Sequence, residues 1–443
     1  MQIDQNWRHC TLGDVITLQR GFDLPERERQ QGIIPIVSSS GVTGHHNIAK
    51  VKGPGVVTGR YGTLGEVFYI KASFWPLNTT LFVRDFKGNH PLFISYFLKT
   101  LNLAHQNGAG AVPGVNRNAL HLLPVHRPPL PIQRTIASIL SAYDDLIENN
   151  TRRIAVLEGM ARMLYEEWFV KFRFPGHEQV KMVESELGMI PEGWEATTIG
   201  DVVQVLGGGT PSTKVPEYWN DGDVIWFSPT DLTSIGTMFI SDSAKKITSS
   251  GLKESSARLF PAYSVMMTSR ATIGVIAINT KEACTNQGFI ICIPNERLSA
   301  YQIYHWLEQN RQKINSLASG ATFKEINRAT FKKLQVLVPS ENMSKLFDAL
   351  ILPIYKHVEN LIQRNANLRR TRDLLLPKLI SGEIDVSSWA EGDAGEIARE
   401  LAAVGTMDAY SSGTGAARRV AEAGPIEPMD SSALERHSLW EDA

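Results

Sequence analysis

A sequence that repeats half of itself must fold as two like bodies, and this one does so along nearly its whole length. The tetrapeptide LGDV at 12–15 returns as IGDV at 199–202, and further landmarks recur at an offset drifting from about 187 to about 211 residues. Thr58, Arg60, Leu64 and Gly65 are echoed by Thr268, Arg270, Ile273 and Gly274, Asn78 by Asn286 and Tyr96 by Tyr304. The run Gly110, Ala111, Val115, Asn116 and Arg117 falls opposite Gly320, Ala321, Ile326, Asn327 and Arg328. Each copy ends in a long helix-forming segment. Such a chain is built to do one job at two places related by approximate two-fold symmetry.

Each copy opens with a strand-rich region. Short β-type runs at 56–58, 66–70 and 80–83 are separated by glycine turns and have counterparts at 265–268, 275–279 and 289–293. Helices are expected at 91–102 and 299–316, and glycine-containing polar loops at 41–55, 108–118, 207–223 and 319–327. Recognition belongs in such loops. At 443 residues the chain exceeds one ordinary core, and 43% hydrophobic with 21% charged residues is the composition of a soluble globular protein. No apolar run approaches the roughly 18 residues that span a bilayer, and 1–14 lacks a secretory signal, so a cytoplasmic location is expected. Cys10, Cys284 and Cys292 read as small buried residues, and the histidines fall in no metal-site pattern.

After Pro128, Pro129 and Pro131, apolar positions follow a helical period through Ile132, Ile136, Ile139, Tyr143, Ile147, Asn150, Ile154, Leu157, Ala161, Leu164 and Trp168, with one slip beside Tyr143. The second segment keeps a heptad spacing through Phe347, Ile351, Ile354, Val358, Leu361, Asn365, Leu368, Arg372, Leu375 and Leu379, with Pro353 and Pro377 expected to kink its ends. At about 1.5 Å per residue these rods measure roughly 54 and 48 Å, lengths that suit antiparallel pairing. Residue numbers facing each other should then sum to about 511 to 515, which puts Asn150 beside Asn365 as a polar register mark in an apolar seam. Two solvated asparagines at the seam edge are the alternative.

The formal charge of −1 hides a partition. Residues 390–443 hold 4 basic and 11 acidic side chains, leaving a body with 41 basic against 35 acidic; 1–175 carries 19 against 13, and 176–389 carries 22 against 22. Any affinity for nucleic acid must therefore come from local clustering. From 391 onward the chain is rich in Ala, Gly, Ser and acid and reads as a disordered appendix, with weak helix at 394–404. No phosphate loop, nucleophile elbow, zinc-protease helix, calcium loop, adenine-methyltransferase signature or dinucleotide fingerprint is present, so catalysis is not expected. What remains are loops combining Arg or Lys with Asn, Gln, Ser, Thr and aromatic residues, chemically fit to grip phosphate and read base edges. The candidates for DNA contact are Arg20, Lys50, Lys52, Arg60, Tyr61 and Arg117 in the first copy. In the second they are Lys214, Ser228, Thr230, Lys245, Lys246, Arg270, Lys324 and Arg328.

The junction ESELGMIPEGWEATTIGDV at 184–202, GGGTPSTKVPEYWNDGDVIWFSPTDL at 207–232, TSRATIG at 268–274, NQG at 286–288 and GATFKEINRATFKKL at 320–334 resemble the specificity subunit of type I restriction-modification systems. RPPLPIQRTIASIL at 127–140 and TRDLLLPKLISGEIDV at 371–386 are similar in style, so the resemblance covers about 11–386. It implies an α/β (α+β) fold with two mixed, strand-rich target recognition domains in tandem, separated by two long helices that form an intramolecular antiparallel coiled coil with pseudo-two-fold symmetry. The expected division is 1–128 for the first recognition domain and 129–175 for the first spacer helix. A linker and second recognition domain would occupy 176–339, the second spacer helix 340–386 and the tail 387–443. Each domain would read one half of a bipartite, asymmetric DNA site, and a rod of about 50 Å spans about 15 base steps of 3.4 Å. The helices would dock two methylation subunits, which in turn recruit two restriction subunits. S-adenosylmethionine, ATP and Mg would sit on those partners and none on this chain. The first domain has GFDLPERERQQG at 21–32 where the second has the GGTPS loop, so the halves should read different sequences. Two other readings remain open here, a duplicated-domain DNA-modifying enzyme and a coiled-coil adaptor without DNA binding.

Overall fold

The computed structural model describes residues 7–103, 114–320, 324–387 and 389; the expected tail beyond 390 and part of the 108–118 loop lie outside the described residues. The first copy runs β1 (Arg8–Thr11), α1 (Leu12–Val15), β2 (Thr17–Arg20), β3 (Ile34–Ser38), β4 (Gly41–His46), β5 (Gly55–Gly59), β6 (Val67–Ile70), β7 (Trp75–Pro76), β8 (Thr80–Asp85), α2 (Pro91–Thr100), α3 (Arg117–His121), β9 (Pro124–Arg127) and α4 (Leu130–Tyr165). A hairpin follows, β10 (Met182–Ser185) with β11 (Gly188–Pro191). The second copy runs β12 (Glu195–Thr198), α5 (Ile199–Val202), β13 (Gln204–Gly207), β14 (Val224–Phe227), α6 (Pro229–Ile235), β15 (Phe239–Ile240), β16 (Lys245–Ile247), α7 (Ser249–Lys253), β17 (Val265–Thr268), β18 (Ile276–Asn279), β19 (Cys284–Thr285), β20 (Phe289–Ile293), α8 (Ala300–Ser316), α9 (Arg328–Lys332), β21 (Gln335–Val338) and α10 (Glu341–Ser381).

Two compact units divide the chain, one drawn from 1–148 with 366–443 and the other from 149–365. In the first, the sheets are ordered β2-β8-β5-β6, β4-β3-β7 and β1-β9. In the second they are β13-β20-β17-β18-β15, β16-β14-β19 and β12-β21, the same plan with β15 added at one edge. Even the single parallel pairing inside each small sheet recurs, β3 with β7 and β14 with β19. The central strands β5 and β17 are buried along their whole length, which is why they read as unbroken apolar runs. Local signals recur as well. Thr11 and Thr198 both precede a one-turn helix with an aspartate three residues on, and Asn89 and Asn295 donate to the carbonyls of Val15 and Val202 at 2.8 and 2.6 Å.

The long helices supply apolar faces to both units. In the first unit Ile136, Ile139, Leu140, Tyr143 and Ile147 of α4 share one core with Leu368, Leu375 and Leu379 of α10. In the second, Ile154, Ala161 and Tyr165 share another with Phe347, Ile351, Tyr355, Val358 and Leu361. Each such side chain contributes about 1.5–3 kcal/mol when fully buried, so these faces outweigh helix propensity in holding the elements. α10 is helical through both Pro353 and Pro377, and α4 passes into a π-helical turn at Glu166–Val170 that buries Trp168.

Several polar groups on the apolar faces are paired. In the second unit Asn150 Nδ2 donates to Asn365 Oδ1 at 3.0 Å, and Asn365 Nδ2 donates to Thr151 Oγ1 at 3.2 Å. Both asparagines are buried. In the first unit Asp144 accepts from Arg372 Nη1 and from the Tyr96 hydroxyl, each at 2.5 Å. Burial and the Asp144 carboxylate push the Tyr96 hydroxyl well above its ordinary pKa. Cys284 and Cys292 are buried, and burial raises both thiols to about 12, while Cys10 is half-buried.

Candidate nucleic-acid interface

At one end of each large sheet, loops from five parts of the chain are tied together by backbone hydrogen bonds. In the second unit Gly209 N donates to Thr285 O (2.8 Å), Asn286 N to Phe227 O (3.0 Å), Ser269 N to Gly288 O (2.8 Å) and Ile326 N to Ser269 O (3.1 Å). In the first unit Phe22 N donates to Pro76 O (2.8 Å), Leu77 N to Val37 O (2.8 Å), Arg60 N to Thr79 O (2.8 Å) and Val115 N to Arg60 O (3.0 Å). The two sets correspond bond for bond. They satisfy backbone groups that would otherwise need water, so the loops form a preset surface.

This correspondence corrects the repeat alignment. Strand pairing sets Thr58 opposite Leu81 and Met267 opposite Ile290, so Thr58 matches Met267 rather than Thr268. The bridges Tyr61 to Gly114 and Arg270 to Glu325 match Tyr61 with Arg270, and leave Arg60 matching Ser269. Side-chain identity had favoured Arg60 with Arg270, one position out. By the same register the counterpart of Asn78 is Gln287, not Asn286. Backbone conformation agrees: Gly62 and Ala271 have φ of 82° and 57°, and Gly65 and Gly274 have 89° and 87°.

Two glycines let the loops cross this closely. A Cβ at Gly21 would lie 2.2 Å from Leu77 O, and one at Gly208 would lie 2.1 Å from Asn286 O. Main chain cannot yield at that distance, so both positions need the missing side chain. Two residues later, Asp23 and Thr210 sit within reach of the crossing loop. Asn78 Nδ2 donates to the Asp23 carboxylate, and the Thr210 hydroxyl donates to Gln287 Oε1 at 2.6 Å.

The sequence-derived candidates divide by partner. Arg20 lies 3.9 Å from Asp23, Lys246 3.3 Å from Asp242, and Arg270 2.8 Å from Glu325. Lys50 stands 4.9 Å over the Trp75 ring; Arg60 stacks on Tyr61 at 4.4 Å and also reaches its hydroxyl at 3.3 Å. Lys52, Arg117, Lys214, Lys245, Lys324 and Arg328 are exposed and make no ion pair among the described residues. Thr230 is exposed in the first turn of α6. Ser228 caps that helix, its hydroxyl donating to Asp231 at 2.6 Å, so its polar group is already engaged. Arg117 and Arg328 are the first residues of α3 and α9, after Asn116 and Asn327, whose side chains accept from Asn118 N and Thr330 N at 2.9 and 2.8 Å. The Arg328 guanidinium lies against Gly207. Arg60, Tyr61 and Arg117 of the first unit and Ser228, Arg270, Lys324 and Arg328 of the second thus belong to the tied loops. Lys245 and Lys246 lie on the small-sheet strand β16, Lys245 opposite Trp226 and so one residue from the tied Phe227, and Lys214 lies in the long loop after β13.

Side chains brought together at the crossing and absent from the sequence-derived candidates are Asp23, Asn78, Thr210 and Gln287. Their signal was the shared glycine at 21 and 208, which aligns the following residues without regard to their identity. Among the described residues there is no group of three side chains able to hold a metal ion, and no helix long and apolar enough to cross a membrane.

The sequence profile described as "Type I restriction modification DNA specificity domain" matches residues 4–159 and 191–368, well over half of the chain. The chain belongs to that family. A type I restriction enzyme specificity subunit, MjaIX, from Methanocaldococcus jannaschii is 32% identical over 205 residues, 46% of this chain and 46% of that protein. The HindI specificity subunit from Haemophilus influenzae is 26% identical over 338 residues, 63% of this chain and 73% of that protein. The match to the first relative therefore spans a little under half of its length. The crystal structure of a type I restriction-modification S subunit from M. genitalium shares the fold, with a TM-score of 0.57 at 15% identity over 86% of this chain and 98% of that one. Two specificity domains in tandem within a mixed α/β chain account for the repeated sheet plan.

Proposed function

We propose that this chain is the non-catalytic DNA-reading subunit of a type I restriction-modification complex, each unit reading one half of a bipartite, asymmetric site. The observation that carries this is the bond-for-bond repetition of the loop ties, which holds two surfaces of one backbone geometry but different side chains. Exposed cations in those loops, Arg117 in one unit and Lys324 and Arg328 in the other, suit phosphate contact, which positions the duplex without specifying sequence. Amide and hydroxyl groups between them suit base edges.

On this reading α4 and α10 pair antiparallel as a coiled coil, relate the units by approximate two-fold symmetry and set the spacer. The buried Asn150 and Asn365 contact would fix the register, as one buried asparagine does in other coiled coils. The helices and adjoining surfaces dock two methylation subunits, through which two restriction subunits join. S-adenosylmethionine, ATP and Mg act on those partners, in the cytoplasm. The recognition domains are 1–128 and 176–339, the spacer helices 129–175 and 340–386, and 387–443 is a tail.

The test is methylome sequencing of cells given this chain with its methylation partner. A methylated split motif is expected, and removal of one heptad from α4 should change the spacer while keeping both half-sites. Absence of any split motif would end the reading; altered half-sites would end the ruler.

A further inference from the structure

We infer that Asn78 and Gln287 are equivalent specificity-determining residues pinned by opposite groups, so that Asn78 keeps its carbonyl oxygen to accept and Gln287 keeps both amide hydrogens to donate. This rests on the DNA-reading function proposed above and assigns part of its specificity to two side chains.

Their equivalence does not rest on residue type. Leu77 N donates to Val37 O and Asn286 N to Phe227 O, so the next residues, Asn78 and Gln287, occupy one position of the shared loop plan. Their partners are equivalent too, because Gly21 and Gly208 are both crossed by that loop and Asp23 and Thr210 each follow two residues later. Each unit thus places an amide side chain at the junction of the same two loops, pinned by a side chain from the loop after its first large-sheet strand.

The pinning is reversed between units. Asn78 spends one of its two amide hydrogens on Asp23, whose carboxylate also lies 3.9 Å from Arg20. Its carbonyl oxygen is left to accept, and one amide hydrogen to give, beside an acid that only accepts. Gln287 has its carbonyl occupied by the Thr210 hydroxyl, so its two amide hydrogens remain to give. In the major groove, acceptors meet the amino groups of cytosine N4 or adenine N6, and donors meet guanine O6 and N7, adenine N7 or thymine O4. In the second unit exposed cations lie on the tied loops, with Arg328 against Gly207 and Lys324 on the adjoining loop. A duplex held by them presents its base edges to the pinned amide.

The experiment is the same methylome readout with the full chain and its methylation partner, comparing wild type with Asn78→Ala, Gln287→Ala and Thr210→Val. Wild type must give a split motif, and its absence counts against the function rather than against this inference. With the motif present, Asn78→Ala should relax one position of one half-site and Gln287→Ala one position of the other, each by about ten-fold in preference. Thr210→Val frees the Gln287 amide to turn and should relax the Gln287 position alone, by less. Unchanged motifs in Asn78→Ala and Gln287→Ala overturn the inference. So does loss of methylation across both half-sites with the unfolding midpoint unchanged, which would make these side chains general anchors. Should the midpoint fall with alanine, Gln287→Asn and Asn78→Ser are judged by the same two outcomes.

Discussion

The two units share a backbone plan and differ in the chemistry that fastens it. In the first, a half-buried charged cluster joins Tyr96 of α2, Asp144 of α4 and Arg372 of α10. In the second, the neighbouring contacts are neutral: His305 of α8 meets the Tyr355 hydroxyl of α10, and Asn150 meets Asn365. The loop ends show the same contrast, with Asp23 and Asn78 in one unit and Thr210 and Gln287 in the other. Repetition therefore acts on main-chain hydrogen bonds and glycine crossings, while side chains hung on them diverge. That division is what the proposed reading of two half-sites would require.

The strongest way to break the comparison is at the crossing itself. Gly208→Val puts a side chain into the Asn286 carbonyl and should destabilise the second unit by roughly 3 kcal/mol or more, and Gly21→Val should do the same to the first. Chemical denaturation followed by tryptophan fluorescence measures both. A cost under about 1 kcal/mol at either site would mean that the loops part easily and that the shared ties do not preset the surface.

Much of this plan was legible in sequence, for identifiable reasons. The runs at 265–268 and 289–293 coincide with β17 and β20 because fully buried strands are apolar throughout. The α4 and α10 faces follow the period through Ile136, Ile139, Ile147, Ile351, Val358 and Leu361, since burial on one side leaves a spacing. Register was harder. Thr58 and Arg60 resemble Thr268 and Arg270 in type, yet the turns after β5 and β17 are equally long and the register matches Thr58 with Met267 and Arg60 with Ser269, so likeness of type lies one residue off the structural match. A serine before a polar stretch fits both a base edge and a helix cap, and the Asp231 contact shows that Ser228 caps α6. Tyr355 escaped the heptad because it packs sideways onto α8 through His305 and Tyr301 rather than along the apolar seam.

A smaller effect sharpens the contrast between charged and neutral fastening. The His305 ring is stacked at 5.0 Å on Tyr165, and burial, with Arg162 adding to it, lowers its pKa to about 3. The unfolded chain titrates near the ordinary value of about 6.5, so below that pH the unfolded state binds the extra proton. Stability from this group is complete above about 6.5 and declines as pH falls toward about 3, by at most roughly 1.4 kcal/mol per pH unit. His305→Asn should flatten the dependence of the unfolding midpoint between about pH 6.5 and 4.5. An acid slope identical to wild type would place the sensitivity elsewhere.

The smallest expected cost tests the seam. Asn150→Ala removes the donor to Asn365 Oδ1, while Asn365 keeps its bond to Thr151, so the loss should be about 1–2 kcal/mol. Replacing both, Asn150→Leu with Asn365→Leu, exchanges a satisfied polar pair for an apolar one and should recover that stability or exceed it. What it should not recover is uniqueness. With no polar residue penalising a shifted alignment, the helices gain neighbouring registers, and the methylated motif should spread over more than one spacer length. A double variant as unstable as the sum of its single changes would show that the asparagines serve packing at that site. A stable double variant with a single unchanged spacer would show that apolar fit elsewhere along α4 and α10 fixes the register, and that the polar pair merely tolerates it.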